Sequence, residues 1–387
     1  MKKIKNLTLL IMLITVFTIT SCTPEKTEME GSVPLHEGKT AETERLLYRE
    51  ELLLGFVMRE MMSPYGGIYT NYDKDGVFEY GVRGWEVLSE SVGLMMYYAV
   101  IRENKEVFDA QYRFLTERMM TKEGFIPWKV NEDGTPTSSS SAAIDDIRIA
   151  YSLIKAHQLW KDSRYLQTAK KIAYNLAKYG VYKNYLVDFY DWEFRTKGSS
   201  VKLSYIDIAG LKALASYQPG LLRVADTGLD LLRKSLYSPQ YPFRRILYDI
   251  EKKTFKNESA VNMIDTLYVS IHLSEAGIKQ RKMLDWMRKE IGERGKIYGR
   301  YHPSKGEPAV NFESAAVYAL GVQLSIKEGD RELADILMER LLTLQDTREN
   351  APTYGGFVDP FEGEGHSFDN LQALIAMALL HNREGKR

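Results

Sequence analysis

Cysteine is almost absent: the 387-residue chain carries one, Cys22. That excludes a disulfide framework and any metal site built from several cysteines. Neither charge is in excess, since 52 Lys and Arg stand against 52 Asp and Glu. No whole-molecule field therefore draws the chain to nucleic acid or to an anionic membrane, and nucleic acid is not among its expected partners. A nucleophile elbow, a P-loop, a dinucleotide fingerprint and an HExxH pair are all missing, which removes the best-marked nucleotide, acyl-transfer and zinc-protease classes. The six histidines are scattered, so neither a cofactor nor a catalytic metal is expected. What remains is an ordinary globular composition, 44% hydrophobic and 27% charged. The length fits two average domains or one large toroid or barrel, and a monomer is expected. Twenty-five tyrosines and five tryptophans make stacking surfaces available.

The first residues read as an export signal. Lys2, Lys3 and Lys5 precede an uncharged, mostly apolar run from Leu7 to Thr20, too short to span a bilayer comfortably and long enough for a signal-peptide core. It ends Ile19-Thr20-Ser21-Cys22. This resembles the lipobox of bacterial lipoproteins, in which the cysteine is acylated and becomes the first residue. A secretory signal with a chance cysteine is the plainer alternative. Residues 23–41 are polar and aperiodic and read as a flexible tether. The expected organisation is a signal at 1–22, a tether at 23–41 and one domain at 42–387, outside the cytoplasm and held to a membrane only by lipid on Cys22.

From Glu42 onward the apolar spacing is helical almost everywhere. It predicts helices near 42–62, 90–103, 105–120, 143–159, 162–179, 203–217, 220–236, 259–276, 279–291, 310–327, 330–346 and 367–382. Short and long connections alternate, so partners joined by short turns are antiparallel and every long loop emerges at one end. The even-numbered helices are the apolar ones. NFESAAVYALGVQLSI has one charge, whereas DRELADILMERLLTLQD has seven. Helices apolar all round are buried and amphipathic ones cover them. The expected fold is all-α, an (α/α)6 toroid of six inner and six outer helices. An open superhelix of helical hairpins is the rival, but it would show a fixed repeat.

The N-termini of the inner helices would then converge on the loop face. They bring Glu90, Asp145 and Asp146, Tyr205 with Asp207, Asp265, Glu313, and Asp369. Acids are favoured in a first helical turn by capping and the macrodipole, so any one of them can be a cap. Trp85, Trp128, Trp192, Tyr65, Tyr80 and Tyr354 lie in the long loops, as sugar platforms or as loop packing. Two acids in an aromatic groove have the chemistry of glycoside hydrolysis, one protonated and the other ionised.

Two segments go further. Trp85-Glu86-Val87-Leu88-Ser89-Glu90-Ser91-Val92-Gly93-Leu94-Met95-Met96 resembles the SEG-x-GYGM segment of glycoside hydrolase family 8. Ser141-Ala142-Ala143-Ile144-Asp145-Asp146-Ile147-Arg148-Ile149-Ala150 is similar to that family's signature A-[ST]-D-[AG]-D-x-x-[IM]-A. Leu203-Ser204-Tyr205-Ile206-Asp207 resembles its PSYF-x-P. The resemblance implies an (α/α)6 barrel that cleaves β-1,4 bonds of a polysaccharide, generally with inversion. It makes Glu90 the general acid, aligns Asp146 with the signature's second aspartate and puts Asp146 with Tyr205 at the sugar; Asp145, Asp207, Trp85 and Trp128 are the further candidates for sugar contact. The family's base segment YDA-x-R-x-P is matched best by Asn262-Met263-Ile264-Asp265-Thr266-Leu267-Tyr268, which makes Asp265 the base with Tyr268 in place of the arginine. Asp249 competes for that role. Ile144 replaces the signature's first aspartate, so the acidic pair is shifted.

Three functions follow from these readings. The first is a lipid-anchored hydrolase cutting internal bonds of a β-1,4-type glycan or exopolysaccharide. The second is a catalytically inactive glycan-binding lipoprotein accompanying a polysaccharide synthase. The third keeps the toroid but changes the reaction to a lyase or unsaturated-uronyl hydrolase.

Overall fold

The computed structural model describes residues 37–384, and the described residues from Glu42 onward form one compact unit. Cys22, the signal and most of the tether lie outside the described residues. Among the described residues twelve α-helices follow one another: α1 Glu37–Phe56, α2 Ser89–Ile101, α3 Lys105–Phe114, α4 Ala143–Trp160, α5 Ser163–Tyr179, α6 Ile208–Ala215, α7 Gly220–Lys234, α8 Met263–Glu275, α9 Arg281–Arg294, α10 Ala315–Glu328, α11 Arg331–Thr343 and α12 Ser367–Glu384. Among the described residues, no helix is long and apolar enough to cross a membrane.

The even-numbered helices form a closed ring. α2 packs on α4, α4 on α6, α6 on α8, α8 on α10, α10 on α12, and α12 returns to α2. That closure makes the fold an (α/α)6 toroid rather than an open superhelix. The inner helices are buried on nearly every face because their sequences are nearly bare of charge. Eleven of the fourteen residues of α10 are buried, whereas the outer α7 buries one stripe of Leu221, Val224, Ala225, Gly228, Leu231 and Leu232. Short turns between inner and outer partners use the expected punctuation. Gly329 closes α10 with φ 85°, a left-handed conformation that costs glycine little.

Three inner helices start later than the apolar pattern suggests. Leu203–Tyr205 is a 3-10 turn, and α6 begins only after Asp207. Val261–Asn262 pairs antiparallel with Arg300–Tyr301 just ahead of α8, and α10 begins at Ala315 rather than near 310. Small sheets of this kind occupy the long connections. Val87–Leu88 pairs with Lys129–Val130 before α2, and Ser200–Lys202 pairs with Leu247–Asp249, which also pairs with Thr254–Phe255. Strands of two or three residues are too short to show alternation, and they lead into α2, α6 and α8.

Candidate active site

The acids at the inner N-termini divide by what they hold. Asp207 is a cap: its Oδ1 accepts from the Gly210 amide at 2.8 Å. Asp369 caps across the ring, accepting from the Ala316 amide at 2.8 Å and the Ser314 hydroxyl at 2.7 Å at the start of α10. Glu313 is bound to Arg340 at 2.6 Å and to the Tyr318 hydroxyl. Asn262, not Asp265, caps α8 through the Ile264 amide at 2.8 Å. At the starts of α2 and α4 no side chain caps the helix, although Glu90 and Asp145 stand in their first turns. Glu90, Asp145 and Asp265 are therefore rim acids that capping does not explain.

Glu90 stands among charges of both signs. Burial raises its pKa and the neighbouring Asp145 raises it further; Arg148 and Lys202 oppose, and the balance pushes the carboxyl up to about 7. No hydrogen bond from the described residues is among the causes of that shift. Asp145 is 4% exposed. Its carboxyl accepts from the Ser89 hydroxyl at 2.6 Å and from Arg148 at 3.0 Å. Burial raises the Asp145 pKa as well, against the pull of Arg148 and Ser89.

Asp265 has different surroundings. The Ser204 hydroxyl donates to its Oδ1 at 2.5 Å, and the Lys202 ammonium lies 3.4 Å from the same oxygen. Lys202 also sits over the Tyr205 ring, 5.1 Å from its centroid. Burial works against the ammonium, but Asp265 and Tyr205 outweigh it and keep the lysine charged. Asp249, the competing candidate, lies in the Leu247–Asp249 strand. Its carboxylate accepts from the Lys252 amide at 2.9 Å, which lowers its pKa and ties it into its own turn.

Beneath these groups a hydrogen-bonded floor crosses the axis. Arg148 donates to Asp145 and, at 3.3 Å, to the Tyr268 hydroxyl of α8. That hydroxyl accepts from Gln372 of α12 at 2.5 Å, and Gln372 accepts from Gln323 of α10 at 2.8 Å. The motif match shows an arginine missing at 268; in space a guanidinium from α4 occupies that neighbourhood. Arg148, Lys202 and Ser204 were not read as site residues from sequence. Arg148 lies three residues after Asp145, one helical turn along the same face, and that spacing was the available signal.

The other expected residues fall on both sides of this line. Asp146 turns about 100° away from Asp145, as adjacent helical residues must. It faces Ser141, Asn175 and Tyr179 between α4 and α5, where burial, then Asp145, raises its pKa. Asp207 lines a cavity on the other side of the floor. Trp128 supplies its carbonyl to the Ser89 amide at 3.0 Å and so braces the start of α2; Trp85 is half-buried in the same approach. Trp192 stacks on Phe125 with centroids 5.2 Å apart. Tyr65 lies under Arg118, and Tyr354 bonds to Tyr48 at 2.9 Å. Tyr80 is 87% exposed and has a left-handed backbone, φ 58°.

Residues 76–187, which span Glu90, Asp145 and Arg148, match the model of "Glycosyl hydrolases family 8". "Putative lipoprotein YdaJ" of Bacillus subtilis (strain 168) is 31% identical over 84% of this chain and 86% of its own length. The chain belongs to glycosyl hydrolases family 8. Among solved structures, "a novel alpha-amylase from Clostridium perfringens" superposes with a TM-score of 0.80 at 29% identity, over 86% of this chain and 97% of that one. PssZ from Listeria monocytogenes gives 0.66 at 25% identity, over 84% and 94%. The family assignment accords with the (α/α)6 toroid and with the first two motifs. Within this member of the family, the signature's acidic pair is reorganised so that Asp145 rather than Asp146 meets the helix bearing Glu90.

Proposed function

We propose that this chain is an extracytoplasmic glycoside hydrolase that cuts inside a polysaccharide with inversion. Glu90 is the general acid and Asp265 the general base, while Asp145 and Tyr205 hold the sugar between them. The observation that carries this reading is the contrast between the two acids. Burial beside Asp145 raises the Glu90 carboxyl to about 7, and Asp265 lies against an ammonium and a hydroxyl. Protonation of the leaving oxygen and activation of water need that division of labour. Lys202 and Ser204 position the base, and Arg148 holds Asp145 toward the sugar. An inactive binding protein would have no need to keep a buried acid protonated at this rim.

Two readings of the polymer are in play. The family motifs favour a β-1,4-type glycan or exopolysaccharide. The 29% identity to a protein titled an alpha-amylase favours an α-linked glucan. Reducing-end release from soluble β-1,4-glucan, chitosan, xylan and α-1,4-glucan, with Glu90→Gln alongside, separates them. Cleavage of one polymer by the wild type and not by the variant is expected. Binding without cleavage of any polymer would establish the inactive, glycan-guiding alternative instead. For the anchor, Cys22→Ser should release the protein from the membrane fraction or leave unprocessed precursor; processing and retention like wild type would remove the lipid from the proposal.

A further inference from the structure

A cavity of about 360 Å³ lies among the inner helices on the far side of the Arg148–Tyr268–Gln372 floor. Neither Glu90 nor Asp265 lines it. Three donor side chains meet on its wall: Asp207 at the start of α6, with His272 and Glu275 one turn apart on α8. Their ligand atoms all lie within 4.8 Å of one another. His272 is 4% exposed. Its Nε2 stands 3.2 Å from the Ser204 carbonyl, an oxygen that can only accept, so Nε2 carries a proton. Nδ1, the other ring nitrogen, faces Glu275 Oε2 at 3.3 Å. One imidazole nitrogen and two carboxylates thus converge on one wall of the cavity.

We propose that Asp207, His272 and Glu275 form a binding site for one divalent cation of the zinc type. Imidazole nitrogen with two carboxylate oxygens suits first-row metals rather than calcium or magnesium. The 3.3 Å between Nδ1 and Oε2 is the spacing of two ligands around a tetrahedral zinc, about 3.4 Å for bonds of about 2.1 Å. The second ring nitrogen donating to a carbonyl is the arrangement that fixes the tautomer of a metal-bound histidine. Three protein ligands leave a fourth position open toward the cavity. The carbonyl held by His272 belongs to Ser204, whose hydroxyl holds Asp265, so the cation would brace the residue that positions the base. Lys327, 3.0 Å from Glu275 Oε1, is the charge that a cation must tolerate.

The test reads binding directly and does not depend on hydrolysis. Full-length protein without a histidine tag, purified in detergent and stripped with chelator, is titrated with Co²⁺ and followed by visible d–d absorption and calorimetry, with Zn²⁺ as competitor. One equivalent is expected, displaced by Zn²⁺. His272→Gln and Glu275→Gln should each weaken it by about tenfold or more, while Glu251→Gln, in an exposed pair with Lys183, should leave it unchanged. Should either ligand variant misfold, Lys327→Met still decides the matter, because removing the competing ammonium should tighten Co²⁺ binding severalfold. Absence of saturable binding to the wild type, wild-type affinity in both ligand variants, or no tightening in Lys327→Met overturns the proposal.

Discussion

Ser89 and Asp145, in the first turns of neighbouring inner helices, are joined by a 2.6 Å hydrogen bond. The bond seats a buried carboxylate beside the start of α2, one residue from Glu90. Because Ser89 and Arg148 both engage Asp145, that acid can approach Glu90 without capping any helix. The charge it places there helps to keep Glu90 protonated.

The first prediction concerns the acid itself. With the Glu90 carboxyl at about 7, kcat/KM should fall as pH rises through that value, since the proton to be donated is lost. Glu90→Gln keeps the shape and removes the proton, so activity should drop by about two or more powers of ten. Steady-state rates on the natural polymer over the pH range give both answers, and near-normal cleavage by the variant would take Glu90 out of the role.

The second prediction moves that limb. A negative neighbour raises a carboxyl pKa, so Asp145→Asn should shift the alkaline limb of the residual activity to lower pH. Arg148→Met removes a cation that lowers the Glu90 pKa and should shift the limb upward. Movement of both limbs in the same direction would contradict this account of the charges around Glu90.

Much of this arrangement was legible before the structure, and the illegible part has physical causes. Twelve helices and their inner and outer assignment follow from apolar periodicity, because a helix buried on all sides cannot carry many charges. For the same reason Glu90 stands out as a lone acid opening an apolar helix, and the resemblance to the SEG-x-GYGM segment is what nominates it as the acid. Motif alignment favours Asp146 at the sugar, whereas it is Asp145 that meets Ser89, since one residue rotates a side chain about 100° and moves it from the axis to the outer layer. Nor could sequence show that Asp369 caps α10, or that Arg148 reaches Tyr268, because both contacts join helices distant in the chain. The six histidines looked scattered, and only folding brings His272 beside Asp207.

A third prediction links the site to stability. Glu90 has a folded pKa above its unfolded value of about 4.5, so between those values the native state holds a proton that the unfolded chain has released. Stability is therefore lost as pH rises from about 4.5 to about 7, and the loss levels off above that. Glu90→Gln escapes the penalty. It should be more stable than wild type at pH 8, by up to about 3 kcal/mol, and melt higher, with the difference shrinking below pH 5. Calorimetry at both pH values checks this, and a variant less stable than wild type at pH 8 would show that the burial cost has been misjudged.

The last prediction separates the two candidate bases. Asp265 faces the rim beside Lys202 and Ser204, while the Asp249 carboxylate is tied to the Lys252 amide. Asp265→Asn should therefore abolish turnover, and Asp249→Asn should leave it nearly intact. Ser204→Ala removes the hydroxyl that aims Asp265 without removing the base, so kcat should fall by a smaller factor than in Asp265→Asn while KM changes little. If Asp265 activates water against the anomeric carbon, the product forms with inverted configuration, and the two carboxyls should stand roughly 6.5–9.5 Å apart in a substrate complex. Proton NMR of the first-formed anomer reads the stereochemistry directly. Retained configuration would mean a covalent intermediate and carboxyls about 5 Å apart. Loss of activity in Asp249→Asn with activity kept in Asp265→Asn would move the base to the loop, and activity in both variants would place the chemistry elsewhere.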